Sequence, residues 1–155
     1  MLRTAIGLLI ALATAAPALA QNVPVTTTHT GLSGDAIATA ALSDPIDMEA
    51  QGKRTNQLAL TVEVTPGTTT RIRVTCYESS SKTNGYAQVC FCNTTSPSTC
   101  KPDLREFTLS DYATVSGKKY IKTHWGIREQ WAKCSVVDPD GGSGTVSVYG
   151  TRSWQ

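Results

Sequence analysis

Leu58-Ala59-Leu60-Thr61-Val62-Glu63-Val64-Thr65-Pro66-Gly67 decides how this chain is read. Leu58, Leu60, Val62 and Val64 alternate with Ala59, Thr61, Glu63 and Thr65, the period of a strand with one buried and one wet face. Pro66-Gly67 then supplies a turn, since Pro presets φ and Gly accepts the next turn position. Alternation resumes from Thr70 to Glu78, with Ile72, Val74 and Cys76 pointing one way and Arg71, Arg73, Thr75 and Tyr77 the other. The two runs read as a hairpin with a short connection.

Working outward, the same pattern recurs. Tyr86 to Phe91 and Leu104 to Leu109 read as strands, separated by the polar loops Ser79 to Gly85 and Asn93 to Thr99. Tyr120 to Val137 reads as one long β segment with a bend or bulge at Gly126. Asp138-Pro139-Asp140-Gly141-Gly142 is a turn, and Thr145 to Thr151 alternates again, Val146 and Val148 opposite Thr145, Ser147 and Tyr149. Upstream, Pro24 to Thr30 reads as an edge strand or an arm, Asp35 to Leu42 as a short helix, and Ile46 to Ala50 as a strand. Strand runs broken by turns at this spacing predict an all-β fold, a two-sheet antiparallel β-sandwich of Ig-like or jelly-roll type over residues 46–155. Residues 21–45 form an N-terminal arm or edge segment.

Met1-Leu2-Arg3 is a short positive start, Ala5 to Ala16 is apolar or small apart from Thr14, and Ala18-Leu19-Ala20 follows Pro17 as an A-x-A pattern. Residues 1–20 therefore read as a signal peptide cleaved after Ala20, which places the mature chain in the periplasm or outside the cell. No later segment is apolar enough to span a bilayer. The 14 basic and 12 acidic residues give a net charge of +2, and the basic residues are scattered, a pattern that excludes a nucleic-acid interface. No motif calls for a cofactor.

Export makes the five cysteines, at 76, 90, 92, 100 and 134, candidates for disulfides. Metal binding is not indicated: Cys90-x-Cys92 is not a C-x2-C knuckle, and no His lies nearby. Cys76 shares a face with Ile72 and Val74, and Cys134 shares one with Ala132 and Val136. Two inward cysteines on separate strands suit a Cys76–Cys134 bridge, either across the core or between neighbouring strands. Their separation of 58 residues makes that bridge worth about 4 kcal/mol in the chain-entropy picture. Cys100 closes a short loop with Cys90 or Cys92, worth about 2.5 kcal/mol. The cysteine left over is a buried thiol or a bridge to another chain.

Reactive constellations are sparse. His29 and His124 are the two histidines, and no G-x-S-x-G elbow occurs. Glu106 and Asp111 flank one strand end, and Glu63 and Glu78 belong to the expected hairpin, all readable as solvated strand faces. Asp138-Pro139-Asp140-Gly141 begins like a calcium loop but lacks the closing acid. Asn93-Thr94-Thr95 matches a glycosylation sequon. The aromatics carry the better lead: Tyr77, Tyr149 and Trp131 fall opposite the core residues of their strands, and Trp125 stands beside His124. Rings on an outer sheet face stack on sugars or anchor a protein partner.

The runs Leu58 to Gly67, Arg73-Val74-Thr75-Cys76-Tyr77-Glu78-Ser79, Ala132-Lys133-Cys134-Ser135 and Thr145-Val146-Ser147-Val148-Tyr149, with the Cys-loop-Cys100 segment between them, resemble small cysteine-bearing β-sandwich proteins encoded in phage and prophage genomes. That resemblance implies a non-enzymatic virion or accessory structural protein; read as a cellular protein, the chain would instead serve an envelope or extracellular component. The expected function is an exported, disulfide-stapled surface presented to a protein partner or to copies of itself. The alternative is a carbohydrate-binding module using Trp125, Trp131, Tyr149 and Tyr77. A third reading is a small secreted hydrolase built on His124 and Glu106.

Overall fold

The computed structural model describes residues 26–38, 40–50, 53–91 and 100–152. The leader over 1–20, Cys92 and the Asn93 sequon lie outside the described residues. Fifteen strand segments follow in order: β1 (Thr26–Ala36), β2 (Ala41–Leu42), β3 (Ile46–Asp47), β4 (Glu49–Ala50), β5 (Lys53–Arg54), β6 (Gln57–Pro66), β7 (Arg71–Ser79), β8 (Ala87–Gln88), β9 (Cys90–Phe91), β10 (Lys101–Pro102), β11 (Leu104–Thr108), β12 (Thr114–Val115), β13 (Lys118–Gly126), β14 (Trp131–Val137) and β15 (Gly144–Arg152). They build two main antiparallel sheets. The first has the order β1-β15-β6-β13-β12, and the second β11-β7-β14-β2, with β3 also on β14 and β8 on β7.

The alternation read from the sequence is the burial pattern of the first sheet's centre. Leu58, Leu60, Val62 and Val64 of β6 are buried, as are Ile121 and Trp125 of β13 and Val146 and Val148 of β15. They meet Ile72, Val74 and Cys76 of β7 and Ala132, Cys134 and Val136 of β14 from the second sheet. Each large side chain so removed from water contributes about 1.5–3 kcal/mol before entropy is counted.

The hairpin expected across Pro66-Gly67 is not formed: β6 lies in the first sheet and β7 in the second. The connecting amides turn to another loop. Gly67 N and Thr69 N both donate to the Ser143 carbonyl, at 3.0 and 3.1 Å, and Thr68 N donates to Ser143 Oγ at 3.1 Å. Gly67 is needed here, because a Cβ would sit 2.8 Å from that carbonyl oxygen. Alternation specifies which face is buried, and a strand in either sheet satisfies it equally well.

Three other elements differ from expectation. Asp35 to Leu42 is not a helix. β1 runs on to Ala36 opposite Thr145 of β15, and Ile37 is fully buried; a segment this short cannot repay helix nucleation when a sheet edge offers a ladder. β1 is thus the edge strand of the first sheet. Tyr120 to Val137 is two strands in different sheets, divided after Gly126. The Glu78 carboxylate accepts the amides of Arg128 and Glu129, at 2.6 and 3.3 Å, and holds the crossing. Tyr86 to Phe91 is split at Val89, whose side chain is buried and whose amide donates to the Cys76 carbonyl at 2.9 Å.

Cys76 and Cys134 form a disulfide. They are directly opposite in the β7–β14 register, so the bridge lies within the second sheet and not across the core. Their main-chain groups bond away from each other: Cys134 N donates to Ser43 Oγ and Cys134 O accepts from Ser43 N, both at 2.9 Å, while Cys76 O accepts from Val89. That is the non-hydrogen-bonded kind of antiparallel pair, where side chains stand closest.

Candidate functional site

Strand phase sets the outer face of the second sheet. With Cys76 and Cys134 inward, Tyr77 and Ser79 of β7 and Trp131 and Lys133 of β14 face out. Lys133 stands opposite Tyr77, and Trp131 opposite Ser79. The polar loop after β7 folds back over this face. Ser79, itself buried, ties the loop down: its hydroxyl donates to the Asn84 carbonyl at 2.6 Å and accepts the Ser81 amide at 3.0 Å. Gly85, at φ +70°, reverses the chain where a side chain is disfavoured. Tyr86 is delivered beside β14, and its hydroxyl donates to the Lys82 carbonyl at 3.0 Å.

Two lysines rest on the rings so gathered. Lys133 Nζ is 4.7 Å from the centroid of Tyr86, and Lys82 Nζ is 5.5 Å from that of Trp131. Both distances are within cation–π range. Partial burial raises the Tyr86 phenol above its ordinary pKa. Tyr77, Tyr86 and Trp131 are all half-buried. The face continues through Thr75 and Ser135 to two exposed leucines, Leu104 at 44% and Leu42 at 51%.

The structure brings Trp131 and Tyr77 together and separates the other two aromatics proposed for binding. Tyr149 lies opposite Thr61 in the first sheet, on the other layer. Trp125 is buried, at 1% exposure, and is corrected from a surface aromatic to a core one. Its phase with Ile121 and Thr123 already carried that signal. Arg105 stacks on it, the guanidinium carbon 4.3 Å from the ring centroid.

Arg105 belongs to β11, at the edge of the second sheet, yet it reaches the first. Its Nη1 donates to Thr123 Oγ1 at 2.8 Å and to the His124 carbonyl at 2.5 Å. Nε and Nη2 donate to the two Asp103 oxygens at 3.2 and 2.8 Å. An inward-pointing charge on an edge strand closes the gap between the sheets there. Beside it lies a cleft of about 390 Å³, lined by Val89, Cys90, Asp103, Arg105, Ile127 and Arg128 among others. Cys90 is a half-buried free thiol that donates to the Gln88 carbonyl at 3.3 Å. Cys100 is disulfide-bonded.

The acidic groups weighed for catalysis, Asp111 apart, are engaged structurally. Glu106 accepts from Arg73 at 2.7 and 2.9 Å, Glu63 from Lys118 at 2.6 Å, and Glu78 caps the crossing described above. Asp140 takes both Nε and Nη2 of Arg71, at 2.9 and 2.6 Å, and this hydrogen bonding holds its carboxyl below the ordinary range. Asp138 Oδ1 accepts the Asp140 amide at 2.7 Å, a side-chain turn. Asp111 is exposed in the short 3₁₀ turn after β11. His124 is exposed opposite Ala59. Among the described residues, no group of three His, Cys, Asp or Glu is placed to hold a metal, and no helix is long and apolar enough to cross a membrane.

No protein-family model matches the chain, and no curated protein matches it. Among solved structures it is similar to CBM28, a carbohydrate-binding module specific for non-crystalline cellulose, with a TM-score of 0.48 and 9% identity over 84% of this chain and 80% of that one.

Proposed function

We propose that the protein is a non-catalytic binding module and that the outer face of its second sheet takes carbohydrate. The observation that carries this reading is the gathering of Trp131, Tyr77 and Tyr86 on one face. Their rings are held half-buried by the sheet and by a loop pinned at Ser79. Sugar rings present flat C–H surfaces, and aromatic side chains offer contact area that loses little entropy on binding. Glu63, Glu78 and Glu106 support a non-catalytic reading, because ion pairs and backbone amides already occupy them.

Glycan-array binding, followed by affinity electrophoresis of Trp131→Ala, tests this. Loss of the ring is expected to weaken binding about tenfold, equivalent to about 1.4 kcal/mol. Unchanged retention of the variant, or an array with no bound glycan, overturns it.

A second reading, a protein partner in a virion or envelope, is favoured by one observation: exposed Leu42 and Leu104 lie on the same face. Under that reading Leu42→Asp abolishes co-purification of a partner, and Trp131→Ala leaves an empty glycan array unchanged.

A further inference from the structure

We infer that the ligand of this face is anionic: an acidic glycan whose carboxylate or sulfate groups are met by Lys82 and Lys133. This deepens the carbohydrate reading and rests on it.

The cations with partners fall into three sets, one of them Lys119 alone, which donates to the Tyr112 carbonyl at 2.6 Å. Arg71, Arg73, Arg105 and Lys118 each reach a carboxylate within 2.9 Å, on Asp140, Glu106, Asp103 and Glu63 respectively. Lys82 and Lys133 form no ion pair among the described residues and rest on rings instead. An aromatic face orients an ammonium through its quadrupole but accepts no conventional hydrogen bond, so the three N–H donors of each lysine stay open to a ligand. The acid bordering the patch, Asp47 opposite Trp131, accepts the Glu49 amide at 2.8 Å.

The two ammonium groups also belong to one unit. Lys133 sits on Tyr86, the Tyr86 hydroxyl holds the Lys82 carbonyl, and Lys82 returns over Trp131. The positive charge is therefore placed where sugar rings are proposed to stack, and it is held before the ligand arrives. Preorganisation of this kind lowers the cost of binding. A sugar acid on a pyranose ring offers both partners at once, an apolar ring face for the aromatics and an anion for the lysines.

The test compares retention of the full chain on polygalacturonate against its methyl ester, and on dextran sulfate against dextran, across a salt series. Binding to an acidic polymer is expected to exceed that to its neutral counterpart at least tenfold and to weaken as salt screens the charges. Lys82→Gln and Lys133→Gln are expected each to weaken it about three- to tenfold. Lys122→Gln, on the outer face of the first sheet, is expected to leave it unchanged. Equal binding of charged and neutral polymers overturns the anionic inference and leaves the carbohydrate reading standing. An equal effect of Lys122→Gln overturns it too, by showing diffuse charge attraction. Retention on none of the four polymers, with an empty glycan array, overturns both.

Discussion

Replacing Cys76 and Cys134 together by alanine removes the clip between the two central strands of the second sheet. The magnitude follows from the structure. The bridge closes 58 residues, and releasing that loop stabilises the unfolded chain by about 4 kcal/mol. Both side chains are fully buried, so losing two sulfur atoms from a packed core adds about 1 kcal/mol. At about 2.1 cal/mol/K per residue, a sandwich of this size has an unfolding entropy near 0.27 kcal/mol/K. A loss of 4–5 kcal/mol therefore lowers Tm by about 15–20 °C. Melting followed by circular dichroism, without reductant, compares the wild type and the double variant while leaving the Cys100 bridge intact. A double variant that melts within about 5 °C of the wild type would falsify the view that this clip carries a large share of stability.

Arg105→Met keeps the apolar stem and removes the guanidinium that joins the sheets; a loss of about 2 kcal/mol in urea unfolding is expected, since charged hydrogen bonds to Asp103, Thr123 and the His124 carbonyl go with it. A midpoint unchanged in urea argues against Arg105 as the closure. Gly67→Ala is expected to cost about 1–3 kcal/mol, because the new methyl meets the Ser143 carbonyl oxygen; equal Tm values show that the crossing has room to give. Asp140 has its folded pKa lowered by Arg71, so its contribution is present above the unfolded carboxylate value of about 3.9 and is lost as pH falls through the folded one. The difference in Tm between wild type and Asp140→Asn is therefore expected at pH 6 and absent well below pH 4; a difference that persists in acid refutes the assignment. Thiol alkylation of the unreduced protein, read by peptide mass mapping, is expected to label Cys90 and to spare Cys76, Cys100 and Cys134.

Much of this architecture is legible residue by residue. Leu58 to Val64, Val146 with Val148, and Cys134 with Val136 announce their buried faces, because side chains alternate along a strand and one sheet face meets the core. The same phase puts Cys76 and Cys134 inward and Trp131 and Tyr77 outward. It also puts Trp125 inward with Ile121 and Thr123, which overrides any appeal of a tryptophan as a surface ring. Which sheet a strand joins is not carried by phase. Pro66-Gly67 reads as a hairpin turn until Ser143, 76 residues beyond Gly67, is known to take its hydrogen bond. The lysine–ring contacts were hidden for the same reason. Lys82 and Tyr86 sit in a polar loop, and their approach to β14 depends on how that loop folds back.

The placement of β15 has a consequence for how the chain reaches this state. β15 (Gly144–Arg152) lies between β1 and β6 and pairs with both, so β1 has no neighbour in its sheet until β15 arrives. β6, β13 and β12 can pair with one another beforehand, but β1 cannot join the first sheet until β15 is in place. Docking of β1 therefore proceeds through a pairing more than a hundred residues distant along the chain, a topology that belongs to the slow end of single-domain folding, milliseconds to seconds.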